Sequence, residues 1–340
     1  MTSSGRMRAI VVLGALVAAL AVAFVAGAAF GAVPVAPAEV VRALARALRG
    51  LALSPEQAVI MELRMPRVLL AALVGACLAG AGVLYQALFR NALADPYILG
   101  VSSGAGLGAA LALAIGGLGT ISLFAVPVSA FLGAMATIVV VAAIATRRRV
   151  MDTLSLLLAG VAVSYTLSAL TSFVLVVRRE QMSRIVFWMM GGLQAATWQQ
   201  VAIVAGMLAV GLAVPLFFTR ELNIILLGDE RAGELGVDVE RFKRIVLAAA
   251  SLLVSAAVSV SGLIGFVGLM TPHMARLVLG PDHRLLLPAS VLSGAVVMVL
   301  ADLVARVVLA PVELPVGIVT ALAGGPVFVW LLLRSRTGRA

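Results

Sequence analysis

The chain has 340 residues, of which 63% are hydrophobic, and its mean hydropathy is +1.16. These values exclude an ordinary soluble domain, which is about 45–50% apolar, and they predict a polytopic membrane protein. The net charge of +10 comes from basic residues scattered between apolar runs, which argues against nucleic-acid binding. Cys77 is the only cysteine, so an intrachain disulfide bond is excluded.

Charge-free apolar runs of about 20 residues predict the membrane spans. The run after Arg6 and Arg8 is longer than the apolar core of a signal peptide, so we predict a retained first span. Within 96–146, the stretch 116–119 divides two spans, and the small residues Gly100, Gly104 and Gly108 predict close helix contacts. The ten predicted spans are 9–30, 68–89, two within 96–146, 153–177, about 198–219, 245–261, a short one at 263–270, 285–305 and 315–333.

Arginine-rich loops predict which ends of the spans face the cytoplasm. With both termini inside, most of these loops fall on the cytoplasmic side, provided that the short run 263–270 counts as a crossing. We therefore predict ten spans with both termini in the cytoplasm. The basic groups placed inside are Arg6 and Arg8, Arg147 to Arg149, the segment 220–244, Arg276, Arg284, and Arg334, Arg336 and Arg339.

The segment 220–244 is the longest polar interruption of the chain, with eleven charged residues among 25. Such a segment cannot lie in hydrocarbon, where each charge costs about 2.5–3.5 kcal/mol. Asp229 is predicted to cap a short helix that stops at Gly236, and Asp238 to cap the helix that follows. We interpret this folded surface as a docking site for a soluble partner; the alternative is an ordinary connecting loop.

A second group of arginines falls on the external side and breaks the positive-inside pattern. One interpretation is local pairing with acidic neighbours, as for Asp302 and Arg306, which are four residues apart on one helix. The other interpretation is a docking surface for an acidic external partner. The arginines concerned are Arg42, Arg46, Arg49, Arg64, Arg67, Arg178, Arg179, Arg184 and Arg306.

The sequence lacks an energy source or catalytic constellation of its own. Lys243 is the only lysine and no G-x-x-x-x-G-K-[ST] motif is present, so the chain has no ATP-binding P-loop. No carboxylate lies in the middle of a predicted span, which disfavours the alternative of an ion-coupled secondary transporter or channel. No hydroxyl has an evident base partner, and His273 and His283 have no cysteine nearby, so we predict no catalytic residue and no metal site.

Several motifs in order along the chain resemble the permease subunits of type II ABC importers for iron chelates, haem and cobalamin. The resemblance runs from about residue 63 to residue 333, and Ala92 departs from it where the family usually has proline. The motifs are Leu63-Arg64-Met65-Pro66-Arg67-Val68, Asn91-Ala92-Leu93-Ala94-Asp95-Pro96, Leu99-Gly100-Val101-Ser102-Ser103-Gly104, Leu227-Gly228-Asp229-Glu230, Gly265-Phe266-Val267-Gly268-Leu269, Asp302-Leu303-Val304-Ala305-Arg306 and Glu313-Leu314-Pro315-Val316-Gly317.

The resemblance implies an all-α permease fold, with 1–340 as one transmembrane domain in the inner membrane. It implies a homodimer in contact with membrane lipid, two cytoplasmic ABC ATPase subunits that hold ATP and magnesium, and an external binding protein; this chain would bind no cofactor. It also implies roles for matching residues. ATPase coupling falls to Gly228, Asp229, Glu230, Arg231, Ala232, Leu235 and Gly236, and binding-protein docking to Arg64, Arg67 and Arg306. Met189, Met190 and Gly191, in a short helix at about 185–192, are candidates for the translocation pathway or for simple packing.

Overall fold

A computed structural model describes residues 3–31, 34–116, 124–147 and 150–337. Most of the predicted division at 116–119 lies outside the described residues, as do Arg148, Arg149 and Arg339. The side chains of Arg6, Arg147, Arg334 and Arg336 are also outside the description.

The described chain is almost entirely helical. Two-residue strands β1 (Thr146–Arg147) and β2 (Val150–Met151) form a small antiparallel pair in which Thr146 faces Met151. A π-helical turn, Ile60–Arg64, leads into α4, and a 3₁₀ turn, Arg179–Gln181, leads into α8. The helices are α1 Ser3–Ala29, α2 Pro37–Leu48, α3 Pro55–Val59, α4 Met65–Leu88, α5 Val101–Gly116, α6 Ala125–Ala145, α7 Thr153–Val177, α8 Met182–Met189, α9 Trp198–Phe217, α10 Thr219–Ile225, α11 Asp229–Glu234, α12 Val239–Ser261, α13 Val267–Leu279, α14 His283–Val307 and α15 Val316–Thr337.

Helices agree with nine of the ten predicted spans, whereas the short span predicted at 263–270 is shifted, because 263–266 is irregular backbone and α13 begins at Val267. Among the described residues, seven helical stretches are long and apolar enough to cross a membrane: α1, α3 with α4, α6, α7, α9, α12 and α14. Helices α5 and α15 are shorter apolar crossings. Helix α13 has 13 residues and is about 20 Å long, less than the ~30 Å hydrocarbon core, so one of its ends lies within the membrane.

Helix α4 is the centre of the bundle and is buried along nearly its whole length. Glycines allow its neighbours to reach its backbone. A Cβ atom on Gly75 would lie 2.1 Å from the carbonyl oxygen of Gly294 in α14, and one on Gly82 would lie 1.8 Å from that of Gly268 in α13. The predicted contact of the glycine-rich α5 is also confirmed, since a Cβ on Gly104 would lie 2.4 Å from the Gly133 oxygen in α6.

Charged residues gather at the two opposite ends of α4. At one end, which we name the coupling end, Arg90 follows α4 and contacts Asp229 in the segment 220–244. At the other, which we name the arginine end, Arg64 and Arg67 lie close to Arg306 and to the end of α1. The two candidate surfaces therefore lie on opposite sides of the hydrocarbon layer.

Candidate functional site

The segment 220–244 folds into three helical pieces, α10, α11 and the first turns of α12. Gly228, with a φ of +107°, precedes α11, and Gly236, with a φ of +84°, follows it; both conformations favour glycine. The N–H of Val237 donates to the Ala232 oxygen at 3.0 Å, which closes the last turn. The predicted short helix is thus confirmed, and so is the cap of Asp238 on α12, which accepts from the Arg241 N–H at 3.1 Å.

The predicted capping role of Asp229 is wrong. Gly228 occupies the N-cap position, and Asp229 is the first residue of α11. Its carboxylate instead contacts Arg90 Nη2 at 2.8 Å and Lys243 Nζ at 2.5 Å. Two cations from other parts of the chain compete for it more effectively than the backbone N–H groups of its own helix do.

Asp229 therefore ties α11 to both α4 and α12. Lys243 is almost fully buried, and its other carboxylate, Glu240, lies farther away at 3.8 Å. A buried ammonium needs a partner, because an uncompensated buried charge costs several kcal/mol. Two ion pairs of Asp229 therefore connect α11 to Arg90, which follows the central helix, and to Lys243 in α12.

The loop between α6 and α7 is attached to the same region. Glu240 Oε2 accepts the N–H of Met151 in β2 at 2.7 Å. Asp152 then caps α7 by accepting from the Ser155 N–H at 2.8 Å, and hydrogen bonding with Ser155 holds the pKa of Asp152 below its ordinary value. The coupling end thus joins the bases of α4, α7 and α12.

The outer side of α11 is free for a partner. Of the predicted coupling residues, Glu230, Arg231, Leu235 and Gly236 are exposed, whereas Ala232 is buried and Gly228 and Asp229 are half-buried. Beside them lies a groove of about 380 Å³ with Phe218, Leu235 and Phe242 among its walls. Leu235 is 56% exposed at the edge of this groove, so both its side chain and the groove are accessible from water.

The arginine end is built differently, because its charges are buried. Asp302, which is 1% exposed, lies 3.0 Å from Arg67 Nε through one oxygen and 3.0 Å from Arg306 Nε through the other. Arg67 also reaches Glu313 at 2.9 Å. This buried network joins α4, α14 and the segment that precedes α15.

Arg64 and Arg306 also satisfy the last carbonyl groups of α1. Arg64 Nη1 donates to the oxygens of Ala28 and Ala29 at 3.0 and 2.9 Å, and Arg306 Nη2 donates to the Gly27 oxygen at 2.8 Å. Helix C-termini leave such oxygens unpaired and favour positive charge. Local pairing thus accounts for the positions of all three predicted docking arginines, and a docking role for them stays a prediction.

The candidate pathway residues lie where three backbones meet. Met189 ends α8, Met190 is 40% exposed, and Gly191 is buried with a φ of +75°. A Cβ on Gly262, after α12, would lie 2.1 Å from the Trp188 oxygen, and one on Gly317, in α15, would lie 2.3 Å from the Met190 oxygen. The structure therefore packs 189–191 against the break 262–266 and against α15.

A residue that sequence reasoning missed holds this break in place. The hydroxyl of Tyr97, in the loop before α5, donates to the Ile264 oxygen and accepts from the Ile264 N–H, each at 3.1 Å. These bonds satisfy backbone groups that the break leaves outside a helix. The only sequence signal was the glycine-rich break itself, which does not identify its partner.

The comparisons with known proteins agree with this geometry. A model of the FecCD transport family matches residues 19–334. The chain belongs to this family. It is 47% identical over 284 residues to a cobalamin import system permease protein of Halobacterium salinarum, covering 84% of this chain and 75% of the relative. It is 40% identical to a hemin transport system permease protein of Yersinia pestis, covering 82% of this chain and 84% of the relative.

The fold agrees as well. A solved structure described as an ABC transporter of the metal-chelate type, in an inward-facing conformation, superposes with a TM-score of 0.83 at 33% identity. The match covers 95% of this chain and 98% of that one. This member of the FecCD family is therefore a membrane permease of the ABC importer class, a subunit that does not hydrolyse ATP itself.

Proposed function

We propose that the chain forms the homodimeric conduit of an importer for metal chelates of the cobalamin, haem and ferric siderophore kind. The coupling end and both termini face the cytoplasm, where two ABC ATPase subunits bind ATP and magnesium. An external binding protein delivers the cargo at the arginine end. The observation that supports this most directly is the pair of contacts from Asp229 to Arg90 and Lys243, which we name the clamp. The clamp fixes the exposed helix α11 to the buried core of the bundle.

Helix α12 connects the two parts of the proposed mechanism. Its 23 residues, Val239–Ser261, span about 34 Å, with Lys243 in the second turn at one end and the break that begins at Gly262 at the other. That break packs against 189–191 and the start of α15. Because a helix is a rigid element, a displacement of α11 by nucleotide-driven closure of the ATPase moves α12 and hence the pathway residues.

The breadth of the substrate class follows from the relatives and not from the site. One relative is named for cobalamin, another for hemin, and the structural neighbour for metal chelates. Each of these cargoes is a metal held in an organic ligand. We propose that this chain carries a cargo of the same class and that the binding protein selects among its members.

The experiment that tests the proposal measures binding of the ATPase subunit to the reconstituted chain. Leu235→Glu changes an exposed residue of the groove and Arg231→Glu an exposed residue of α11, and we expect each to weaken ATPase binding at least tenfold, since hot-spot residues near the centre of an interface contribute about 2 kcal/mol or more. Arg284→Glu is the matched control, because Arg284 is exposed at the start of α14, outside the segment 220–244. Undiminished binding by both variants, or uphill transport by the chain without any ATPase, would refute the proposal.

Docking at the arginine end is proposed for an acidic surface of the binding protein. Arg64 is the least buried of the three candidate arginines, while Arg67 and Arg306 are about nine-tenths buried or more. We expect the affinity of the binding protein to fall with added salt and to fall further in Arg64→Gln. If the affinity does not depend on salt and Arg64→Gln leaves it unchanged, these arginines have only the structural role described above.

A further inference from the structure

Helix α2 has an apolar face that remains exposed among the residues that the structure describes. Val40 and Ala43 are buried in a cluster with Ile60 and with the end of α1. A second set of apolar residues points away from this cluster, spaced by three and four so that it forms one stripe along the helix. The stripe consists of Val41, Leu44 and Leu48, of which Leu48 is 80% exposed.

The same helix and its C-cap present a row of exposed arginines. Arg42 pairs with Glu39 one turn earlier. Arg46 and Arg49 are exposed and have no ion pair among the residues that the structure describes. At 3.6 residues per turn, this row is centred about 130° around the helix from the apolar stripe. Local ion pairing therefore does not account for Arg46 and Arg49, in contrast to Arg67 and Arg306.

Trp198 and the membrane-crossing α1, which both lie near α2, indicate that α2 lies at the level of the lipid headgroups. Trp198, at the start of α9, is 44% exposed and its indole N–H donates to the Met61 oxygen at 3.1 Å. Exposed tryptophans of membrane proteins concentrate at the headgroup level. Met61 adjoins Ile60, on which α2 packs, and α2 begins only seven residues after the membrane-crossing α1 ends.

We propose that α2 is an interfacial helix that binds anionic phospholipid in the leaflet at the arginine end. Its stripe lies among the upper acyl chains, while Arg42, Arg46 and Arg49 contact lipid phosphates. A membrane interface offers apolar contact on one side and anionic groups on the other, which matches two faces so widely separated on one helix. A soluble protein approaching from water meets the arginines but not the stripe. The inference depends neither on the proposed orientation nor on transport.

The position of the helix can be measured in the full chain reconstituted in lipid nanodiscs. Cys77 is completely buried, so a thiol introduced by Leu48→Cys or Arg46→Cys is the accessible site for a fluorescent label. We expect lipids that carry a quencher on the upper acyl chain to quench the label at position 48 several-fold more than the label at position 46. Equal quenching at both positions, or none at position 48, would overturn the proposal.

The charge contact needs a separate measurement. The amount of phosphatidylglycerol that stays bound, relative to phosphatidylcholine, is measured for the native chain and for a triple variant, Arg42→Gln, Arg46→Gln and Arg49→Gln. At about 1 kcal/mol per basic residue at an anionic surface, preferential retention should fall roughly fivefold for each arginine removed.

The matched control removes the same charge at the coupling end, from the exposed residues Arg231, Arg241 and Arg244. A loss of retention that is equal in both triple variants would show a general charge effect and refute a site on α2. If the label at position 48 is instead shielded only when the binding protein is added, α2 is a protein-docking helix and the lipid proposal fails.

Discussion

The two ends of the bundle use ion pairs in opposite ways. At the coupling end, one half-exposed carboxylate, Asp229, holds a surface helix to the core through Arg90 and Lys243. At the arginine end, the buried Asp302 holds Arg67 and Arg306 inside the protein. The first arrangement leaves a charged surface accessible and attached, whereas the second fixes the helices to one another. Ion pairs of similar composition thus leave a charged surface exposed at one end and hold helices together inside the protein at the other.

The largest effect should come from removing the buried carboxylate. Asp302→Asn leaves two buried guanidinium groups without their shared counter-charge, and we expect the free energy of unfolding to fall by about 3–5 kcal/mol. Glu313→Gln is the matched control, because the Glu313 side chain is 34% exposed and its ion pair within the described part of the chain is with Arg67. Thermal unfolding of the reconstituted chain measures both. Equal losses in the two variants would contradict the distinction between a buried and a peripheral partner.

A smaller effect on stability is expected from a substitution between the two ends. There, the break after α12 packs against the end of α8, a contact that we name the junction. Gly262→Ala places a methyl group 2.1 Å from the Trp188 oxygen at a φ of +66°, and we expect about 1–3 kcal/mol of strain. ATPase binding should persist while coupled transport is lost. In the control Gly265→Ala, the added methyl group meets no atom within 4 Å. Full transport by Gly262→Ala would show that the junction has no part in the transport mechanism.

The smallest change in stability should come from the coupling end. In Asp229→Asn the buried Lys243 keeps Glu240 as a partner at 3.8 Å, and the Asp229 side chain is 42% exposed, so the free energy of unfolding should fall by only about 1 kcal/mol. Amide hydrogen exchange in α11 should nevertheless rise, because the helix loses its link to α4 and α12. Glu230→Gln, at the exposed neighbouring position, should leave that exchange unchanged. Unaltered exchange in Asp229→Asn would show that the clamp does not hold α11.

The spans and the coupling segment could be predicted from the sequence because their signals are local. Apolar runs predict nine of the ten helices with their approximate bounds, the short run at 263–270 overlaps only the start of α13, and the density of charge identifies the segment 220–244. The role of Asp229 could not be predicted, since Arg90 precedes it by 139 residues. Arg67 and Asp302 are likewise separated by 235 residues. Pairing at such separations is decided by helix packing, which one sequence does not display.

The two faces of α2 are an intermediate case. The arginines stand out in the sequence because they break the positive-inside rule, whereas the stripe of Val41, Leu44 and Leu48 is marked only by its spacing. Its helical spacing was present in the sequence throughout. That the stripe remains uncovered could be learned only once the packing of Val40 and Ala43 against α1 and Ile60 was known.

The shortness of α13 limits which sides of the bundle can be in contact with lipid. A helix of about 20 Å leaves part of the membrane thickness to the irregular backbone at 262–266, where only some peptide groups have partners such as the Tyr97 hydroxyl. Acyl chains offer no hydrogen bonds to peptide groups, so irregular backbone at this depth is tolerated only against protein or water. The side of the bundle that carries the break is therefore turned away from the bilayer, and a bare lipid boundary there is ruled out.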